Sequence, residues 1–481
     1  MKKNSIFKAI IITFLVYVLA SWIIPGGAIQ NGVLTKGNIN PVGLTDIILY
    51  PLSTLTTSIF VIVSIIVLLI GALYGVFNRT GAYSKLIENI AKKFSGKEKS
   101  FLVISILVFG ILAGLTSLTL PILILVPLFI AIILTLGFSK MTAFLSTIVP
   151  LLVGNMATLF GYNMDGYSYT NYFFGVKSVD NMLYKAILLV VSLGLVLFYV
   201  VKTSKLAKKS TKKTTKKVEE KKEEIVIPFV SGKNTTKKSE KGIVITLCVL
   251  TVVALVGLFN WAGAFDLTKT IFDTLHENIT KVTINDFAIL SHIIGQLNPI
   301  GYWSNYELAM LIIIATFIVG KVYGLKCNEI IDAAVEGMKE MLPVAVVAAL
   351  SGILLLVVNS VTNPFMPTVF NFFIKLTKGL NAFAFGAMSL IGSTTYSQFP
   401  YLMNALYDPV TSLYAENIKQ AVYVMQVMFG YAMLLVPTSA GLVIGLQLLG
   451  ISYKEWLKEN WKLLLGLLVV GLILSVIVVL I

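Results

Sequence analysis

Gly392-Ser393-Thr394-Thr395-Tyr396-Ser397-Gln398-Phe399-Pro400 interrupts an otherwise apolar segment that runs from Asn381 to Leu406. A glycine, several small hydroxyls and a proline favour unwinding in the middle of a membrane helix. In hydrocarbon, unwound backbone persists only where protein buries it or where it lines a wet cavity. Interrupted helices of this kind come in pairs in secondary transporters, with substrate and coupling ion held between them. A second stretch answers the first: Pro150, then Gly154-Asn155-Met156-Ala157-Thr158-Leu159-Phe160-Gly161-Tyr162-Asn163.

The rest of the composition agrees with a membrane setting. The 481 residues are 57% hydrophobic and 13% charged, with mean hydropathy +0.88. A soluble protein of this length carries about 25% charge. Apolar runs long enough to cross a bilayer recur along the whole chain, which predicts an all-α polytopic membrane protein. Lys202 to Lys241 holds 14 lysines against 5 glutamates, a net +9 of the chain's +15. Charge clustered beside spans follows the positive-inside rule, so this stretch reads as a cytoplasmic linker and not as a nucleic-acid surface. Its Lys, Thr and Glu cannot bury apolar area, and the expectation is a mobile segment. Cys248 and Cys327 sit in or beside apolar segments and suggest neither a disulfide nor a metal framework.

In chain order, a retained first span to Gly26 with its N-terminus inside precedes an outer loop to Pro51. A second span follows at Thr57 to Asn78. Lys85, Lys92 and Lys93 alternate with Leu86, Ile87 and Ile90, the pattern of an amphipathic helix lying on the membrane surface. Residues 101–138 carry no charge and break at Thr116-Ser117-Leu118-Thr119-Leu120-Pro121. They are too long for one span and too short for two, so a re-entrant hairpin is expected. The broken helix 141–162 comes next, then an outer loop whose Tyr162, Tyr167, Tyr169 and Tyr172 form an interfacial aromatic belt. A span at Met182 to Val201 reaches the linker.

After Lys241 the order recurs. Spans at Gly242 to Ala262 and Glu307 to Gly324 lead to a charged helix at Asn328 to Glu340. A hairpin at 342–378, broken at Asn359-Ser360-Val361-Thr362-Asn363-Pro364, precedes the broken helix 381–406. Two closing spans follow. Gly71-x-x-Tyr74-Gly75 pairs with Gly320-x-x-Tyr323-Gly324, and Thr119-x-Pro121 with Thr362-x-Pro364. Each T-x-P also precedes a broken helix, and three matches in one order indicate an internal duplication, with repeats at 1–201 and 242–481. The count is about 9 to 11 transmembrane helices with two re-entrant hairpins and two broken helices. An inverted arrangement needs one further crossing, for which 287–303 is the candidate.

The two breaks offer hydroxyls, amides and freed backbone groups. Half-helix N-termini suit a carboxylate and freed carbonyls suit Na⁺. Candidate substrate ligands are Asn155, Thr158, Asn163, Ser360, Thr362, Asn363, Ser393, Thr394, Thr395 and Ser397. Candidate ion ligands are Gly154, Thr119, Thr438 and Ser439. Pro437-Thr438-Ser439 also fits a plain proline kink, with Ser or Thr satisfying the freed carbonyl. Asp165 and Glu307, near the interfaces, read as solvated. His276 and His292 show no metal-ligand spacing, and no nucleophile–His–acid set stands in the apolar segments, which argues against an enzyme and against a metal cofactor.

Trp22-Ile-Ile-Pro25-Gly-Gly, the run from Gly71 into Asn78-Arg79-Thr80-Gly81-Ala82, and Pro437-Thr438-Ser439 followed by Tyr453-x-x-Trp456-Leu457-Lys458 resemble the YfcC-type carriers. These are often labelled four-carbon-dicarboxylate anaerobic carrier-like, within the ion transporter superfamily, and the p-aminobenzoyl-glutamate transporters are relatives. The resemblance covers most of the chain outside the lysine-rich linker. It implies a homodimeric secondary transporter in the cytoplasmic membrane, built from a scaffold part and a transport part that carries the hairpins. It implies a dicarboxylate or a basic amino acid as solute, the latter by arginine/ornithine exchange. Relatives carry acidic residues at the first hairpin tip, where this chain reads Thr116-Ser117-Leu118-Thr119. The expected function is transport of a small carboxylate-bearing solute by symport with Na⁺ or H⁺, or by antiport. A carrier-derived scaffold or sensor is the alternative from another class.

Overall fold

The computed structural model describes residues 5–164, 167–206, 228–230, 238–265, 267, 269–285, 287–362, 364–377 and 380–481. Asp165, Asn363 and most of the 202–241 linker lie outside the described residues.

Helix α1 (Ser5–Ser21) buries Ile6, Ile10, Phe14, Tyr17 and Val18, a stripe spaced by three and four residues. Its opposite face, with Ile12, Val16 and Leu19, stays exposed, as expected of a helix with lipid on one side. Strands β1 (Gly27–Gln30) and β2 (Val33–Lys36) form an antiparallel hairpin. Its turn is Asn31-Gly32, both at positive φ of 52° and 73°, the geometry that a tight primed turn needs and that Asn-Gly supplies at low cost. Asp408 accepts from both turn amides, Asn31 at 3.1 Å and Gly32 at 3.2 Å.

Helices α2 (Asp46–Thr54), α3 (Ser58–Arg79) and α4 (Ala82–Lys93) follow. Then come α5 (Glu98–Thr116), α6 (Thr119–Leu123), α7 (Val126–Thr135) and α8 (Lys140–Met156). Thus 101–138 is a helix, a turn at Ser117 (φ 57°) and a return in two short pieces. Strands β3 (Asn163–Met164) and β4 (Tyr167–Ser168) pair antiparallel, and α9 (Tyr169–Phe174) and α10 (Met182–Thr203) follow.

The second half runs α11 (Lys241–Leu258), α12 (Trp261–Phe265), α13 (Ile271–Thr280), α14 (Ile289–Ile294) and α15 (Asn305–Val322). Next are α16 (Cys327–Leu350), α17 (Ile353–Ser360), α18 (Met366–Thr377) and α19 (Asn381–Gly392). The chain closes with α20 (Phe399–Leu413), α21 (Ile418–Ala432), α22 (Ala440–Leu449) and α23 (Tyr453–Leu480). Among the described residues seven helices are long and apolar enough to cross a membrane, and shorter apolar helices of 10–17 residues supply the interrupted pieces. The protein is an all-α polytopic membrane protein.

Four expectations change. The charged helix 328–340 is not separate: it runs without a break into apolar residues as α16. Across 342–378, α17 packs against α2 and α1, while α18 packs against α19 and strands β1 and β2. The candidate crossing at 287–303 holds only the six-residue α14, which buries none of its residues and is too short to span. Glu307 is buried, not solvated. Its carboxylate accepts from the Ser304 backbone amide at 2.7 Å, closing the N-terminus of α15 with a capping box.

The tightest packing joins the halves. Gly71 and Gly75 on α3 meet α16 backbone to backbone, and a Cβ on Gly337 would stand 2.0 Å from the Gly71 carbonyl oxygen. Small residues allow this approach between membrane helices. Gly320, their counterpart in the sequence pairing, instead receives the Ile330 side chain, and Gly324 ends α15 at φ 74°.

Candidate functional site

Helix α8 is buried from Thr142 to Met156. Gly154 lets it cross α5, since a Cβ there would lie 2.5 Å from the Gly110 carbonyl oxygen and 2.7 Å from the Gly114 amide. The crossing carries Asn155 to the turn that follows α5, where its Nδ2 donates to Thr119 Oγ1 at 2.7 Å. Just beyond, the Leu159 amide donates to the Gly114 carbonyl at 2.8 Å. The Thr158 hydroxyl donates to Gly161 O at 3.2 Å, and the Thr158 carbonyl accepts from Gln426 Nε2 on α21 at 3.1 Å. Tyr162 folds back and donates its hydroxyl to the Asn155 carbonyl at 2.9 Å. Backbone groups freed by the end of α8 are therefore satisfied from α5, α21 and the break itself. Two side-chain oxygens are left over: Asn155, 7% exposed, keeps its Oδ1 and Gln426 its Oε1 without a partner among the described residues.

The 392–400 break satisfies itself differently. Ser393 donates its hydroxyl to the Ser389 carbonyl, and Thr394 donates to Ile391 O at 2.7 Å. The Thr394 carbonyl accepts from Thr438 Oγ1 at 2.9 Å. Ser393 and Thr395 are buried. The polar run meets the cavity at Ser397 and Gln398, and Phe399-Pro400 then starts α20.

Both breaks reach one cavity of about 270 Å³, whose wall includes Thr119, Asn155, Tyr162, Ser397, Gln398 and Ser439. An aromatic cluster joins them: Tyr162 and Phe399 lie 4.6 Å apart by ring centroid, and Phe429 of α21 lies 5.5 Å and 5.0 Å from them. No described residue in the wall is charged. Four helices begin there instead, α6 at Thr119, α15 at Asn305, α20 at Phe399 and α22 at Ala440. The start of α15 is already closed by Glu307 and α6 is a five-residue piece, so α20 and α22 are the starts that bring partial positive charge to this space.

Of the candidate ligands, Thr119, Asn155, Ser397 and Ser439 line the cavity. Gly154, Thr158, Ser393, Thr394, Thr395 and Thr438 stand behind the wall and hold its backbone. Ser360 is exposed and donates to Leu356 O at 2.8 Å, while the Thr362 carbonyl accepts from Asn40; neither lines the cavity. Asn163 stands on β3, paired with Ser168, and Asn363 lies outside the described residues. Sequence reasoning missed Tyr162, Gln398, Phe399, Gln426 and Phe429. Tyr162 was assigned to the aromatic belt, although its place seven residues after Asn155 is one loop away from the break. Gln426, an amide within an apolar run, was the readable signal on α21.

The family model for C4-dicarboxylate anaerobic carriers, DcuC, matches residues 4–480. The chain belongs to this family. As a DcuC-family protein with membrane-crossing helices it is a multi-pass membrane carrier and not an enzyme. Among solved structures, it is similar to the YdaH transporter of Alcanivorax borkumensis at 14% identity, with 97% of each chain covered and a TM-score of 0.36. No curated protein matches the chain.

Proposed function

We propose that this DcuC-family chain is a secondary transporter of a small dianionic or monoanionic carboxylate, a four-carbon dicarboxylate first among them. The observation that carries the reading is the cavity wall: it is uncharged among its described residues, yet α20 and α22 begin in it. Helix starts and hydroxyls stabilise a carboxylate without a fixed cation, which keeps binding weak enough for release on the other side. Ser397, Gln398, Thr119 and Ser439 supply donors for carboxylate oxygens. The orphaned Asn155 Oδ1 suits a coupling Na⁺ or a donor on the solute, and Thr119, beside it, completes that corner. In this reading Gly154, Thr158, Ser393, Thr394, Thr395 and Thr438 shape the site from behind.

The arginine/ornithine alternative finds less support, because a guanidinium in this cavity would meet no carboxylate among the described lining residues. A scaffold or sensor without transport would have no need of an interior space walled by hydroxyls and amides. The motifs at both ends of the chain favour the YfcC-type branch of the family. We further place the lysine-rich 202–241 linker and the N-terminus on the cytoplasmic side of the cell membrane, and expect a homodimer.

Uptake into proteoliposomes tests this. A labelled four-carbon dicarboxylate should accumulate under an inward Na⁺ or H⁺ gradient or against internal unlabelled dicarboxylate. Uptake of arginine against internal ornithine, with no dicarboxylate uptake under any gradient, would overturn it.

A further inference from the structure

Away from the cavity, a groove of about 460 Å³ runs between α4 and the first turns of α11. Its position is fixed by the spans around it. Helix α3 ends at Arg79, α5 begins at Glu98 and α11 begins at Lys241, so α4 lies where three membrane-crossing helices enter or leave one face. The groove therefore sits at the depth of the lipid headgroups. Its walls divide by chemistry. Leu86, Ile90, Val244 and Ile245 form an aliphatic side, and Ile245 is 60% exposed, facing outward from α11. At the other side stand Lys93 and Lys241, both exposed, and neither ammonium has an ion-pair partner among the described residues.

The one carboxylate in the wall is already engaged. Glu240 accepts from Asn89 Nδ2 at 2.9 Å and faces Lys85 Nζ at 3.6 Å. Its own backbone amide first, then Asn89 and Lys85, hold it below the usual carboxylate range. Glu240 thus neutralises Lys85 and leaves Lys93 and Lys241 without a compensating carboxylate among the described residues.

We propose that this groove binds one anionic phospholipid, its phosphate between Lys93 and Lys241 and an acyl chain along Val244 and Ile245. A free phosphate would use only the lysines and leave the aliphatic wall uncovered. A zwitterionic lipid would cover the wall but bring its own cation against two ammonium groups. An anionic lipid satisfies both, since basic residues at the membrane surface attract anionic headgroups and their aliphatic stems lie along apolar surface.

The test places the full chain in phosphatidylcholine nanodiscs, adds phosphatidylglycerol, and counts retained lipid by native mass spectrometry. The K93Q/K241Q variant should bind phosphatidylglycerol about thirtyfold more weakly, the equivalent of about 1 kcal/mol for each lysine. A K92Q/K97Q variant, which makes the same charge change outside the groove wall, should match the unaltered protein. Should the double variant fail to fold, the single variants K93Q and K241Q decide, each expected to weaken binding about fivefold. Unchanged retention in the groove variants, equal retention of phosphatidylcholine, or displacement of the lipid by inorganic phosphate would each overturn the proposal.

Discussion

The two breaks that meet at the cavity present opposite faces to it. The 392–400 stretch carries more hydroxyls, yet Ser393 and Thr394 return theirs to carbonyls of the helix they have just left, and Thr395 is buried. The 154–163 stretch has fewer polar groups, but its Asn155 holds one hand on Thr119 and leaves the other, Oδ1, without a partner. A hydroxyl in a helix has a ready acceptor one turn back, and it takes that bond before it reaches a ligand. An amide has two ends and cannot satisfy both on its own backbone so easily. Density of small hydroxyls therefore marks where a helix opens, while the amide marks where the opening faces the cavity.

The largest test of this contrast uses the glycines. Gly154→Ala would press a methyl into the backbone of α5, with neighbours at 2.5 and 2.7 Å, and neither can yield. A loss of about 3 kcal/mol of stability is expected, read as a lower thermal midpoint in detergent. Gly392→Ala meets the Leu402 methyl at 2.9 Å and the rim of the Phe370 ring at 3.0 Å. Side chains move aside, so a loss below about 1 kcal/mol is expected. Equal losses would mean that the two breaks are held with equal rigidity.

Asn155→Ala comes next. It should cut uptake at least about tenfold, the loss of one or two polar contacts to solute or ion. Ser393→Ala should leave uptake within about threefold, because its hydroxyl serves Ser389 alone. A reversal of that order would return the site to the hydroxyl-rich stretch.

Cysteine labelling sharpens the map on a smaller scale. Ser397→Cys should react with a water-soluble maleimide and be protected by the transported solute. Ser393→Cys and Thr395→Cys, both buried behind the wall, should stay unlabelled. Reactive cysteines at those two positions would show that the break unwinds further than described. A modest effect is also expected for Gln426→Leu, which removes the donor to the Thr158 carbonyl. About 1 kcal/mol of stability should go, measured again by thermal midpoint, with Ser393→Ala as the reference for the other break.

Much of this was legible. Apolar length, the uncharged run 101–138 and the two polar interruptions give the membrane class, the first hairpin and the two stretches that share a cavity. What stayed hidden depends on which helix packs against which. The T-x-P pairing put a hairpin at 342–378, but α19 packs most extensively on α21 much as α5 packs on α8. Composition does not report partners, and a proline in Thr362-x-Pro364 reads the same whether or not the chain turns back there. Pro437-Thr438-Ser439 reads equally as a kink or a ligand; in the fold α21 ends before it, Thr438 ties to Thr394, and Ser439 lines the cavity. Helix α16 escaped because a charged segment was divided from an apolar one, although helical backbone is indifferent to that change. The Asn31-Gly32 turn, by contrast, was readable from two residues and was passed over as outer loop.

That turn has a consequence for how the protein is made. Its two amides are capped by a carboxylate 377 positions later in the chain. At about 5–20 residues per second, the ribosome delivers Asp408 some 20 to 75 s after Asn31. For that interval the β1–β2 hairpin has its turn open, and every intervening helix must be made before the cap can close. Residues 27–36 are thus made long before they are finished, so a ribosome stalled before residue 408 would leave them exposed to protease.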